Sequence, residues 1–201
     1  MAEIENIIAR ISSIFSVLDL KYVVVGGIAA IVQGKPRTTT DINLILENNP
    51  PKIQKFLSAL KNNGFEVLDN QVRMAFESRT HASIFDKKTT MRLDVKIATS
   101  ALDREALNHA EIHNYFGVPL RIASVNYVLL GKLWFLGDIS DIEIPQYLKF
   151  NDIIDFINVF LQNKERVDID WLKDQADQMN LTNTYTQLMQ YIEDKFRETD
   201  E

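Results

Sequence analysis

Two glycines, two aspartates and an asparagine carry the spacing that could do chemistry in this chain. Val25-Gly26-Gly27 is followed, after thirteen intervening residues, by Asp41-Ile42-Asn43-Leu44. Tyr22 to Val25 is a short apolar run that ends at the glycine pair, which reads as a buried strand turning straight into the alanine-rich stretch Ile28 to Gln33. Such a turn presents free backbone N–H groups at a helix N-terminus. Glycine there leaves room for a phosphate, because no Cβ stands in the way. A Gly-Gly pair alone commonly just makes a turn; the residues that follow sharpen the reading. Side chains two apart on a strand share a face. Asp41 and Asn43 therefore point one way while Ile42, Leu44 and Leu46 point the other. Arg92, Asp94 and Lys96 share a face in the same manner, with Leu93, Val95 and Ile97 opposite. Two strands that each offer an acid beside a phosphate loop point to a divalent-metal site. Mg²⁺ typically takes one or two carboxylates plus substrate phosphates and water. Two ions ~3.5–4 Å apart would clamp the attacking and leaving oxygens of a phosphoryl transfer.

These residues resemble the signature of the nucleotidyltransferase (DNA polymerase beta-like) superfamily. There, a hydrophobic residue and Gly-Gly or Gly-Ser precede an Asp-hydrophobic-Asp/Glu-hydrophobic run, and a third acid comes from a later strand. Asp94 in Arg92-Leu93-Asp94-Val95 matches that third acid. The run Gly34-Lys35-Pro36-Arg37-Thr38-Thr39-Thr40-Asp41 resembles the Gly-x-x-Arg-x-Thr-x-Asp stretch of the AbiEii-like, toxin-related branch. Val118 to Ser124 followed by Leu130-Gly131-Lys132-Leu133 resembles that branch's helix with an inward lysine, and Asn151-Asp152-Ile153-Ile154-Asp155 its Lys-Asp-x-x-Asp helix start. The match runs from about residue 21 to 161. Two positions depart from the pattern: Asn43 stands where the family usually has a second carboxylate, and Asn151 stands where it has lysine. The resemblance implies transfer of a nucleoside monophosphate from an NTP such as ATP to an acceptor hydroxyl, with Mg²⁺ or Mn²⁺. Asp41 and Asp94 would hold the metal with Asn43 assisting, and Asp94 would also serve as general base. Gly26, Gly27 and Arg37 would hold the triphosphate, with Lys132 a further phosphate contact. The acceptor, nucleic acid or protein, is left open. Asn43 supports a rival reading, a catalytically weakened nucleotide- or partner-binding protein of a toxin–antitoxin-like pair.

Several of these side chains also have plain structural readings. Asp41 and Asp94 could be strand-end acids in surface turns. Arg37 could grip phosphate with its planar fork or pair with Asp41. Lys96 reads as an ion-pair partner of Asp94. Lys132 reads as a lysine snorkelling from an otherwise apolar helix. His109 and His113 stand four apart without the Glu placement of a zinc protease, and the preceding helix ends between them, so they are not a metal pair. Trp134 and Phe135 read as core.

The positioning elements follow from periodicity. Ile4, Ile7, Ile8, Ile11, Phe15 and Leu18 recur at helical spacing over 3–18. Residues 41–46 form a second strand, and Pro50-Pro51 open a helix that runs to Asn63 and is closed by Gly64. Between 65 and 98 the spacing predicts strands at Phe65–Leu68, Val72–Phe76, Ala82–Phe85 and Met91–Ala98. A helix over Leu102–Ala110 leads into Ile112–Tyr115, a turn at Gly117 and Val118–Ile122. Beyond Ser124 come helices from Val125 to Leu136, around Phe150–Leu161, around Trp171–Met179 and around Tyr185–Phe196, with an acidic loop over Gly137–Tyr147. The expected fold is α+β, a nucleotidyltransferase-like mixed sheet flanked by helices in a domain over 1–123, followed by a C-terminal helical bundle over 124–201.

Composition sets the remaining bounds. With 201 residues and 46% hydrophobic side chains the chain can bury a full core. It has no cysteine, which excludes disulfides, thiolate metal sites and cysteine nucleophiles. The formal charge of -6 argues against a broad grip on long nucleic acid. No basic leader and no membrane-length apolar run stand in the sequence, so a cytoplasmic protein without membrane contact is expected.

Overall fold

The computed structural model describes residues 3–139 and 150–197. The chain divides into two compact units. The first takes the chain up to Ala29 and from Thr38 to Ser124; the second takes Ala30–Arg37 and the chain from Val125 onward.

The first unit is built on one seven-stranded mixed sheet. Its strands are β1 (Tyr22–Val25), β2 (Asp41–Leu46), β3 (Phe65–Glu66), β4 (Ala82–Asp86), β5 (Arg92–Ile97), β6 (Glu111–Tyr115) and β7 (Val118–Ile122), in the order β3-β4-β5-β2-β1-β7-β6. The centre matters for function. β2 runs antiparallel to β1 and parallel to β5, which aligns Val25 with Asn43 and Asn43 with Asp94. Val23, Val24, Ile42, Leu44, Leu46, Leu93 and Val95 are buried, so these strands cannot slip by one residue without exposing their apolar side. Helix α1 (Glu3–Val17) buries Ile7, Ile8, Ile11, Ile14 and Phe15 and packs on α3 (Pro50–Asn62) and β7. Asn49 caps α3 by accepting from the Lys52 N–H ahead of the two prolines, whose missing donors cost nothing in a first turn. A capping box between Ser100 and Asp103 opens α5 (Ala101–Asn108).

One strand prediction fails. Residues 69–77 form helix α4 (Asp69–Glu77) rather than a strand over Val72–Phe76. Val72 is buried with Ala75 and Phe76 half-buried, a spacing of three and four, while Met74 is 62% exposed. The β-forming residue types masked that helical period. The strand expected over Phe65–Leu68 is correspondingly short, because Leu68 already precedes the first turn of α4.

In the second unit, α6 (Val125–Leu136), α7 (Asn151–Gln162), α8 (Ile169–Gln178) and α9 (Thr182–Arg197) pack on one another. Helix α2 (Gly26–Gln33) starts in the first unit and ends in this one. Gly34 follows it without the left-handed backbone of a capping glycine. A Cβ at Gly34 would meet the Ala30 carbonyl oxygen at 2.8 Å and Val159 at 3.1 Å, so close approach to α7 requires glycine there. Trp134 and Phe135, expected in the core, are 62% and 73% exposed. The α6 sequence is apolar nearly all round, so its period gives no inward face. From residue 140 the predicted acidic loop lies outside the described residues. No described helix is long and apolar enough to cross a membrane.

Candidate active site

The sheet register builds the site from the strands upward. On β2, Asp41 and Asn43 are half-buried while Ile42 and Leu44 are buried, the alternation that a one-sided strand end produces. Asp94 on β5 lies directly across from Asn43 and is only 6% exposed. At the end of β1, Gly26 closes the group. Its φ is +65°, and a Cβ there would meet Asn43 Nδ2 at 2.8 Å. Backbone conformation and lack of space both require glycine at this position. Gly27 follows as the next residue of α2. In the first unit, the structure therefore brings together Gly26, Asp41, Asn43 and Asp94.

Every carboxylate oxygen here has a partner. Thr39 Oγ1 donates to Asp41 Oδ1 at 2.7 Å, and Asn43 Nδ2 lies 3.5 Å from Asp41 Oδ2. Ser83, paired with Asp94 from β4, donates to its Oδ1 at 2.5 Å. Arg92 Nε donates to Asp94 Oδ2 at 3.0 Å, and the Arg92 Nη2 is 3.8 Å from Asp41 Oδ2. One guanidinium thus reaches both acids. Its hydrogen bond to Asp94 and the charges of Asp94 and Asp41 hold Arg92 above the ordinary arginine range. The cation that the sequence pairs with Asp94 is therefore the wrong one. Lys96 turns instead to Asp103, at 2.8 Å, whose carboxylate also accepts from the Thr99 and Ser100 backbone N–H groups. Ser83 and Thr39 carry no role in the sequence reading. The signal for Arg92 was present, since it stands two residues before Asp94 and so on its face.

Arg37 and Lys132 lie in the second unit, around one buried acid. Arg37 Nε and Nη2 donate to the two oxygens of Asp155, each at 2.8 Å, a bidentate fork. Lys132 Nζ is 2.6 Å from Asp155 and 2.8 Å from Asp152. Its side chain is 5% exposed, so Lys132 does not snorkel; two carboxylates compensate its burial. Burial alone would raise the Asp155 carboxyl, yet the hydrogen bonds from Arg37 and Lys132 hold it below the ordinary carboxylate range. The partner of this fork, Asp155, is not one the sequence offered for Arg37.

Among the described residues no group of three His, Cys, Asp or Glu side chains could hold a metal. The β2–β5 site offers two carboxylates and one amide. Hard oxygens converging on a positive charge, here the Arg92 guanidinium, form a donor set that fits a divalent ion of the Mg²⁺ type.

No family model matches the chain, and no curated protein matches it in sequence. Solved structures do match. ANT(2'')-Ia in complex with adenylyl-2''-tobramycin superposes with a TM-score of 0.59 at 14% identity, covering 89% of this chain and 98% of that one. An antigenic nucleotidyltransferase-like protein from Paracoccidioides brasiliensis gives 0.57 at 16%, covering 95% and 92%. The lincomycin-bound lincosamide antibiotic adenylyltransferase LnuA gives 0.52 at 18%, covering 79% and 96%. At such identities the likeness is one of architecture: this chain has the nucleotidyltransferase fold.

Proposed function

We propose that the protein is a divalent-metal-dependent nucleotidyltransferase that moves a nucleoside monophosphate from an NTP to an acceptor hydroxyl and releases pyrophosphate. The observation that carries the proposal is the register of the sheet centre. It sets Asp94 beside Asn43, with Asp41 two residues along the same face and Gly26 against Asn43, in a fold shared with an adenylyltransferase. Asp41 and Asp94 would hold the metal with the Asn43 amide oxygen. A bound divalent ion neutralises phosphate charge and orients the reacting oxygens.

The chain's own residues do the rest. The glycine pair at the start of α2 would present backbone N–H groups to phosphate. Asp94 is the proton acceptor. Both its oxygens already accept a hydrogen bond, but an ionised carboxylate keeps further lone pairs for the acceptor O–H. As that proton leaves, the acceptor oxygen bonds to the α-phosphorus and the bond to pyrophosphate breaks. Through the sequence resemblance Arg37 and Lys132 enter the proposal as phosphate contacts; in the structure their charges meet Asp155.

The test is pyrophosphate release from each NTP with Mg²⁺ or Mn²⁺. Acceptor arms are tobramycin and lincomycin, then RNA, DNA and protein, with Asp94→Ala as the blank. Release in the wild type that Asp94→Ala abolishes is the expected result. A second reading, a nucleotide- or partner-binding module of a toxin–antitoxin-like pair, is favoured by one observation: Arg92 already compensates both acids while position 43 is neutral. That reading expects nucleotide-dependent thermal stabilisation without pyrophosphate.

A further inference from the structure

We infer that this site takes a single divalent ion, with the Arg92 guanidinium supplying the positive charge that a second ion would bring. The inference rests on the nucleotidyltransferase reading above and deepens it. A site with three carboxylates and two divalent ions keeps a net charge of plus one. Here Asp41, Asp94 and Arg92 together amount to minus one, because position 43 is an amide. One divalent ion restores the same net plus one; a second would leave plus three at the same place.

Geometry agrees with the charge count. Arg92 lies across from Asp41 in the β2–β5 register and on the face of Asp94, so its fork reaches both acids. Two ions in such a site would sit ~3.5–4 Å apart, and the fork takes up that span between the carboxylates. Asp94 holds Ser83 at 2.5 Å and Arg92 at 3.0 Å, one on each oxygen. The loosely held oxygen is Asp41 Oδ2, whose contacts are Asn43 at 3.5 Å and Arg92 at 3.8 Å. An ion therefore enters at Asp41, with the Asn43 amide turned to offer its oxygen. The Arg92 side chain is 42% exposed, so its Asp41 end can swing outward while Nε stays on Asp94. The neighbouring Lys96 adds no competing charge, being held by Asp103.

Electron paramagnetic resonance of bound Mn²⁺ decides this, because two ions that close couple their spins and one does not. Wild type, Arg92→Gln and the double variant Arg92→Gln/Asn43→Asp are titrated with Mn²⁺ alone, with circular dichroism as the check on folding. The inference expects one uncoupled ion in wild type, roughly tenfold tighter binding in Arg92→Gln, since a like charge at about 4 Å is removed, and a coupled pair in the double variant. A coupled pair in wild type overturns it and leaves the nucleotidyltransferase reading standing. Unchanged affinity in folded Arg92→Gln, or an uncoupled ion in the folded double variant, also overturns it. Absence of bound Mn²⁺ from all three folded proteins overturns the inference, while the nucleotidyltransferase reading stands or falls on pyrophosphate release, because substrate phosphates supply part of the ion's ligands there.

Discussion

At the scale of single residues, Gly26 and Asn43 are the informative pair. An L side chain at the Gly26 backbone angle costs about 1–2 kcal/mol, and a Cβ would also displace Asn43 Nδ2 from 2.8 Å. Gly26→Ala is therefore expected to fold, to melt roughly 2–4 °C lower per kcal/mol lost, and to lose metal-dependent stabilisation through the displaced Asn43. A calorimetric scan with and without Mg²⁺ reads both effects. Asn43→Asp moves the balance the other way. It sets a third carboxylate beside Asp41 and Asp94, so the ion-free protein should melt lower than wild type through like-charge repulsion. Mg²⁺ should more than recover the difference, and pyrophosphate release should rise. If Asn43→Asp lowers an activity the wild type has, the asparagine serves a role of its own rather than weakening the site.

At the scale of elements, the buried ion network joins three pieces of the second unit: the segment ending at Arg37, α6 through Lys132 and α7 through Asp155. Replacing Asp155 leaves Lys132 buried with only the more exposed Asp152 for compensation, its side chain 40% exposed against 4% for Asp155. Removal of one partner from such a network costs about 3–5 kcal/mol. Asp155→Ala should therefore lower the urea midpoint sharply. Lys132→Met should cost much less, because Asp155 keeps the bidentate Arg37 fork and the methionine fills the apolar channel of the lysine stem. Equal losses in the two variants would mean that packing, not charge, holds α6 to α7.

At the scale of the whole molecule, acid stability and ligand stability can be predicted. Asp86, Asp103 and Asp155 are each pushed upward by burial but held below the ordinary carboxyl value of 3.8 by their partners. Those partners are Arg10 and Thr89, Lys96 and Ser100, and Arg37 and Lys132, respectively. Each carboxyl thus gives up its proton more readily folded than unfolded. The stability it contributes is complete above the unfolded value and is lost as pH falls through the lower folded values. Melting temperature should stay level from neutral pH down to mild acid and then fall steeply below about pH 4. Lys96→Met should flatten part of that acid limb by removing the charge that depresses Asp103. Mg-NTP should raise stability by about 2.7 kcal/mol at a hundredfold excess over Kd, with the metal-dependent part absent in Asp41→Ala. A melting curve indifferent to all four NTPs would remove both the enzyme and the nucleotide-binding readings.

What the sequence determined by itself is what local geometry enforces. Alternation along a strand is a property of two neighbouring residues, so the shared face of Asp41 and Asn43, and that of Arg92 and Asp94, were legible without a structure. The glycine pair ending an apolar run likewise located the β1–α2 turn. Where residue type and period disagreed, type misled: Val72 to Phe76 carries β-forming side chains at helical spacing and folds as α4. Only the tertiary structure decided which charges meet. Lys96 and Arg92 are both two residues from Asp94, and local geometry cannot choose between them. The choice is made by Asp103, which the cap of α5 aims at Lys96, and by the β2–β5 register, which brings Arg92 to Asp41 as well. In the same way Ser83 reaches Asp94 through strand pairing, and Arg37 reaches Asp155 across 118 residues of chain. Those partnerships are long-range, so no periodicity records them.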